Sequence, residues 1–81
     1  LGWVYYKKNV PDLAVPAFLR CVEKSPSNPV YHYHLGLAYV QGGDAARGRK
    51  SLERALALKS DFVGADDARR ALSTLGSTAG R

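Results

Sequence analysis

Hydrophobic and polar positions along this chain recur at helical spacing. Between 29 and 41, "PVYHYHLGLAYVQ" carries Val30, Tyr33, Leu37 and Val40 on one side and Leu35, Ala38 and Tyr39 on another. Apolar residues three and four apart mark an amphipathic helix, and two apolar faces mark one packed on more than one neighbour. Asn28 is suited to cap its start, Pro29 fits its first turn, and Gly42-Gly43 ends it. Asp44 caps a second helix, over about 45–59, that carries Leu52, Ala55, Leu56 and Leu58. Upstream, Asp12 to Lys24 reads as the equivalent helix, with Pro16 near its first turn removing one backbone bond and bending it. Ser25-Pro26-Ser27-Asn28 is the intervening turn. A last amphipathic helix, about 62–75, uses Phe62, Ala65, Ala68, Ala71, Leu72 and Leu75. Asp66 and Arg70 are expected to pair across one of its turns. Residues 76–81, "GSTAGR", read as a disordered tail.

Laid over itself, the chain repeats at one fixed offset, the step from Gly2 to Gly36. "LGWVYYKKN" (1–9) aligns with "LGLAYVQGG" (35–43), matching Leu1 with Leu35, Gly2 with Gly36 and Tyr5 with Tyr39. Lys7 falls opposite Gln41, Phe18 opposite Leu52, Cys21 opposite Ala55 and Val22 opposite Leu56. Glycine at 2 and 36 lets paired helices approach. Tyr5, Tyr39, Phe18 and Leu52 fill the layers between helices, each burial contributing roughly 1.5–3 kcal/mol. A unit this short cannot bury its apolar face alone, so neighbouring units must stack.

These residues resemble the tetratricopeptide repeat (TPR) family, whose repeat length of about 34 residues equals the offset. Leu1-Gly2-x₂-Tyr5…Ala14-x₃-Phe18…Pro26 fits its pattern, with the tryptophan position falling before Leu1. The second unit has Leu35-Gly36-x₂-Tyr39, Leu52 and Ala55. It departs at His32, where tryptophan or another large apolar residue is usual, at Gly48, where alanine is expected, and at Ser60, which replaces proline. The wording is similar to bacterial members of the family. The resemblance implies an all-α fold, a solenoid of antiparallel helix pairs. It divides the chain into a TPR repeat at 1–28 with a truncated first helix, a TPR repeat at 29–61, a capping helix at 62–75 and the tail.

The resemblance also implies a function: a non-catalytic scaffold that binds a protein or peptide in a concave groove lined by the first helix of each repeat. The inward-facing residues would be Trp3, Tyr6 and Lys7 from the first repeat and Val30, Tyr33, His34, Leu37 and Gln41 from the second. Such an aromatic surface with a polar edge suits a peptide or partner helix with large apolar anchors. One TPR subclass grips carboxylate tails with basic residues and asparagine. Here Tyr33, Leu37, Gly64 and Ala68 stand at those places, so that clamp is not expected. The alternatives are a structural end-cap of a longer solenoid, and salt-sensitive binding of a polyanion or nucleic acid.

Charge bears on that last alternative. The net charge of the 81 residues is +5, and Arg47, Lys50 and Arg54 share one helical face as a possible basic patch. Phosphate binding there would release counterions and fall steeply with salt. No aromatic residue interleaves with the stretch to stack on bases, which argues against nucleic acid. No apolar run approaches the ~20 residues of a membrane span, so no membrane insertion is expected.

Candidate chemistry changes the picture little. His32 and His34 project about 200° apart on a helix, so one helix cannot aim both at a metal ion. His32 is expected between helices and His34 in the groove. There is no H-E-x-x-H, G-x-S-x-G or phosphate-cradling loop. Neither enzyme, metal nor cofactor is expected. The single Cys21 excludes an internal disulfide and is expected as a small buried core residue. The sequence contains no methionine and begins at Leu1, which reads as a piece of a longer protein. The truncated first helix should expose apolar surface, through which a homodimer or a helix swap is expected.

Overall fold

The computed structural model describes residues 2–79, with side chains through Leu75; Leu1, Gly80 and Arg81 lie outside the described residues. These residues fold as α1 (Gly2–Lys7), α2 (Pro11–Lys24), α3 (Pro29–Gln41), α4 (Ala45–Leu58) and α5 (Ala65–Ala79). The architecture is all-α, as the apolar spacing predicts.

Local chemistry sets most helix ends. Asn28 Oδ1 accepts from the Val30 amide at 3.0 Å and the Tyr31 amide at 3.4 Å, and Pro29 opens α3. Asp44 Oδ1 accepts from the Arg47 amide at 3.1 Å. Each bond satisfies amides that a helix start leaves without a partner. At the start of α2 the corresponding residue is Val10, which offers no side-chain cap, and Pro11 removes one of the amides needing one. Pro16 is accommodated within α2 at an exposed position.

The last helix departs from expectation at three points. It starts at Ala65 rather than Phe62, because Gly64 takes φ +103° and halts any earlier helix. It continues to Ala79, so 76–79, expected in a disordered tail, are helical backbone. Its ion pairs are Asp66–Arg69 at 2.9 Å and Asp67–Arg70 at 3.6 Å, not Asp66–Arg70. Each pair spans three residues, and Asp66, Asp67, Arg69 and Arg70 are all exposed.

The repeat reappears in the backbone hydrogen bonds. The turn after α1 is closed by Lys8 N to Val4 O (3.0 Å), Asn9 N to Tyr6 O (3.0 Å) and Val10 N to Tyr5 O (2.9 Å). The turn after α3 is closed by Gly42 N to Ala38 O (3.0 Å), Gly43 N to Val40 O (3.0 Å) and Asp44 N to Tyr39 O (2.9 Å). Every donor and acceptor of the first set has its counterpart one repeat further on. The left-handed residue that lets each chain reverse is Asn9 at φ 61° and Gly43 at φ 89°. Asparagine is among the few side chains that adopt this conformation readily.

Packing follows the same repeat. α3 packs most extensively on α4 and next on α2, while α1 rests on α2 and α5 on α4. The core divides into two clusters. One joins Ala14, Phe18, Leu35 and Ala38, with Tyr5 and Tyr39 against it. The other joins Tyr33, Leu52, Ala55 and Ala68, with Leu56, Phe62 and Leu72 against it. Phe18 and Leu52, equivalent in the repeat, thus sit one in each layer. The tightest approach is between α3 and α4. A Cβ on Gly36 would stand 2.7 Å from Leu52 Cγ and 3.0 Å from the Gly48 carbonyl oxygen, and a Cβ on Gly48 would stand 2.5 Å from Val40 Cγ2. Gly48 is therefore smaller than the expected alanine because Val40 fills the space.

Two core expectations are corrected. His32 is not packed between helices: its Nε2–H donates to the Pro26 carbonyl at 2.8 Å, tying α3 back to the turn before it. Cys21 is half-buried rather than fully buried, bordering a shallow hollow with Gly2, Ala17, Arg20 and Lys24. On the same end of the stack Val4 is 49% exposed, whereas its repeat counterpart Ala38 is 0% exposed beneath a neighbouring helix pair.

Candidate functional site

Three elements enclose a concavity of about 650 Å³. Trp3, Tyr6 and Lys7 reach it from α1, and Val30, Tyr33, His34 and Leu37 from α3. Val63, Gly64 and Asp67 close it from the α4–α5 turn and the first turn of α5. Every expected groove residue except Gln41 comes to this one place.

Gln41 turns its side chain to α1, where Nε2 donates to the Tyr6 carbonyl at 3.0 Å. It ties the two first helices of the repeats together instead of offering its amide to a ligand. The lining residues that helical spacing missed are Val63, Gly64 and Asp67. A signal for two of them existed. One further step of the repeat carries Val30 to Gly64 and Tyr33 to Asp67, and all four line the concavity. Gly64 has a steric reason as well, since any Cβ there would run into the Tyr33 ring.

The floor is a chain of rings. His34 lies 4.5 Å from the Trp3 ring centroid and 5.4 Å from those of Phe18 and Tyr33. Trp3 stacks on Tyr6 at 5.2 Å, and Tyr33 meets Phe62 at 5.8 Å. Rings at these separations gain from offset or edge contacts beyond simple burial. Burial lowers the His34 pKa from its usual value, because a charged imidazolium would lose its water. His34 is thus a neutral ring at pH 7, part of an aromatic layer.

The rim carries two charges of opposite sign. Lys7 Nζ sits 5.2 Å from the Trp3 ring centroid, a cation–π contact at the α1 side. At the α5 side the Tyr33 hydroxyl donates to Asp67 Oδ2 at 3.4 Å. Burial, and next the neighbouring Asp67 carboxylate, push the Tyr33 phenol above its usual pKa. Trp3 is 38% exposed and Val63 is 86% exposed, so apolar surface faces outward at both edges. A shallower, more open depression of about 880 Å³ runs along the turns between helix pairs and shares Val30 and Val63 with the groove.

The basic residues Arg47, Lys50 and Arg54 are all exposed on α4, and none lines the groove. Arg47 also pairs with Asp44 at 3.4 Å. His32 and His34 point to a turn and to the aromatic layer respectively, so the helix separates them as its geometry requires. Among the described residues no group of three or more His, Cys, Asp or Glu side chains converges, and no helix is long and apolar enough to cross a membrane.

Comparison with known proteins gave one result. Residues 30–62 match the tetratricopeptide repeat family. A comparison with curated proteins and one with solved structures each gave no match. The matched segment covers α3, α4 and the turn that follows, and its turn geometry is shared by the preceding helix pair one repeat earlier. With its close α3–α4 glycine contact and its share of the layered core, the segment 30–62 is a tetratricopeptide repeat.

Proposed function

We propose that this chain binds a peptide or a helix of a partner protein in the groove formed by α1, α3 and the start of α5. Tetratricopeptide repeats generally mediate protein–protein interaction, and as a kind of domain they are non-catalytic scaffolds. The observation that carries the groove reading is the aromatic floor, in which Trp3, Tyr6, Tyr33 and His34 meet around one concavity that Leu37 extends. Rigid aromatic side chains give large contact area for little lost freedom, and such residues concentrate binding energy at interfaces.

The test is selection of binding peptides on the immobilised 81-residue chain, followed by titration against single variants. Trp3→Ala and Leu37→Ala should each weaken binding at least tenfold, the loss of about 1.4 kcal/mol that a single anchor contributes. Far-UV circular dichroism should stay unchanged, and Arg54→Ala should bind as the parent does. Binding that survives Trp3→Ala and Leu37→Ala with the fold intact rejects the groove.

Exposure of Val4 favours a second reading, pairing of two copies through the outer side of α1. Light scattering of a concentrated solution tests it, and a monomer rejects it.

A further inference from the structure

We propose that the groove selects an acidic segment of a partner protein, with an aromatic or leucine anchor on Trp3 and Leu37 and a carboxylate one or two residues away at Lys7. This inference rests on the groove reading above and names the chemistry of its ligand.

The argument is one of unmatched charge. Lys7 and Asp67 are the charged side chains that line the concavity. Asp67 already has two partners, the Tyr33 hydroxyl at 3.4 Å and Arg70 Nη2 at 3.6 Å. Lys7 has only the face of Trp3, and among the described residues no carboxylate lies within ion-pairing distance of it. The groove therefore presents one positive charge without an ion-pair partner beside an aromatic surface. A lysine in the ligand would meet Lys7 as a like charge at one rim and an already satisfied carboxylate at the other.

Geometry sets the spacing. Lys7 Nζ is 5.2 Å from the Trp3 ring centroid. An extended chain advances about 3.3 Å per residue, so an acid and an anchor one or two positions apart reach both groups together. The net charge of +5 adds a long-range pull on acidic partners. A nucleic acid fits less well. The groove offers one cation where a strand would need several.

Trp3 is the single tryptophan of the chain, so its fluorescence reports occupancy of the groove directly. The probes are three nine-residue serine–alanine peptides with one central phenylalanine, flanked on both sides by aspartate, serine or lysine. A short oligothymidine is the fourth probe. The aspartate peptide should bind about twofold to fivefold tighter than the serine peptide, the range expected of an exposed ion pair. That gap should close in Lys7→Gln, close at high salt, and reverse in Lys7→Glu, with helix content unchanged in both variants. Equal binding of the aspartate and serine peptides, or a preference for lysine, overturns the charge selection and leaves the groove standing. A Trp3 response to oligothymidine that exceeds the response to the aspartate peptide overturns it in favour of polyanion binding. No Trp3 response to any peptide overturns the charge selection and the groove together.

Discussion

Replacing Gly36 with alanine adds one methyl group, and two opposing effects decide the outcome. Alanine is the better helix former, by about 1 kcal/mol relative to glycine in a helix interior. The new Cβ, however, would lie 2.7 Å from Leu52 Cγ, 2.9 Å from Leu52 Cδ2 and 3.0 Å from the Gly48 carbonyl oxygen. Leu52 is 0% exposed, and the Gly48 oxygen is backbone. Relief therefore requires α3 and α4 to separate, across the most extensive helix contact in the molecule. Overpacking of this kind costs about 1–3 kcal/mol, and two rigid obstacles put this site at the upper end. The expected net destabilisation is about 1–2 kcal/mol, a large fraction of the stability of a domain this small. Urea unfolding followed by far-UV circular dichroism should show a lower midpoint with an unchanged slope. Adding Leu52→Ala removes the nearest obstacle, so the double variant should be less destabilised than the two single changes added together, with a coupling of about 0.5–3 kcal/mol. A Gly36→Ala variant more stable than the parent would mean that helix propensity alone governs the site, and would refute the close approach.

Other expectations concern single groups. His34 has a folded-state pKa below its unfolded value, so the unfolded chain takes up the proton first as pH falls. Thermal stability should be flat above about pH 6.5 and decline below it, and His34→Phe should remove that decline; a melting temperature that His34→Phe leaves equally acid-sensitive between pH 7 and pH 5 counts against the buried neutral ring. Asn28→Ala removes the acceptor for the Val30 amide and should cost about 1 kcal/mol in urea unfolding, whereas an unchanged midpoint would deny the cap any role. Tyr33→Phe keeps the ring packing and loses only the long bond to Asp67, so a stability loss above about 1 kcal/mol would show that the hydroxyl contributes more than its geometry indicates.

How much of this is readable in the sequence depends on how local the cause is. Asn28 and Asp44 cap helices through amides two or three residues away, so their roles follow from position alone. The repeat is readable because each unit fills the same space with residues of similar size, as Phe18 and Leu52 do. The groove floor follows from helical spacing. Its third wall does not, because Val63, Gly64 and Asp67 lie outside the two helices whose apolar spacing marks the floor. Asp67 reads as a residue that merely suits a helix start, and its tertiary partner Tyr33 is visible only after a further step of the repeat. Equivalent positions also diverge when their surroundings differ. Lys7 and Gln41 share a register, yet Gln41 has the α1 backbone within reach while Lys7 has only Trp3. His32 and Cys21 depart from expectation for the same reason: each answers to what lies across a turn or at the end of the stack, not to its own helix.

The two walls of the groove differ in how firmly they are held. α3 is clamped between α2 and α4, while α1 has six residues and leans mainly on α2. Short, thinly packed helices open at lower free energy than the rest of a molecule. Trp3, Tyr6 and Lys7 all ride on α1, so three of the ten residues lining the proposed binding groove can melt while the α3–α4 pair stays folded. For the binding proposed above, affinity is then thermodynamically linked to the order of α1: a ligand that bridges Trp3 and Leu37 tightens the helix, and anything that steadies the helix beforehand strengthens the ligand by the same factor. A neighbour stacked on Val4 could in this way tune recognition without touching the groove. Amide hydrogen exchange would register it as slower exchange in Gly2–Lys7 alone.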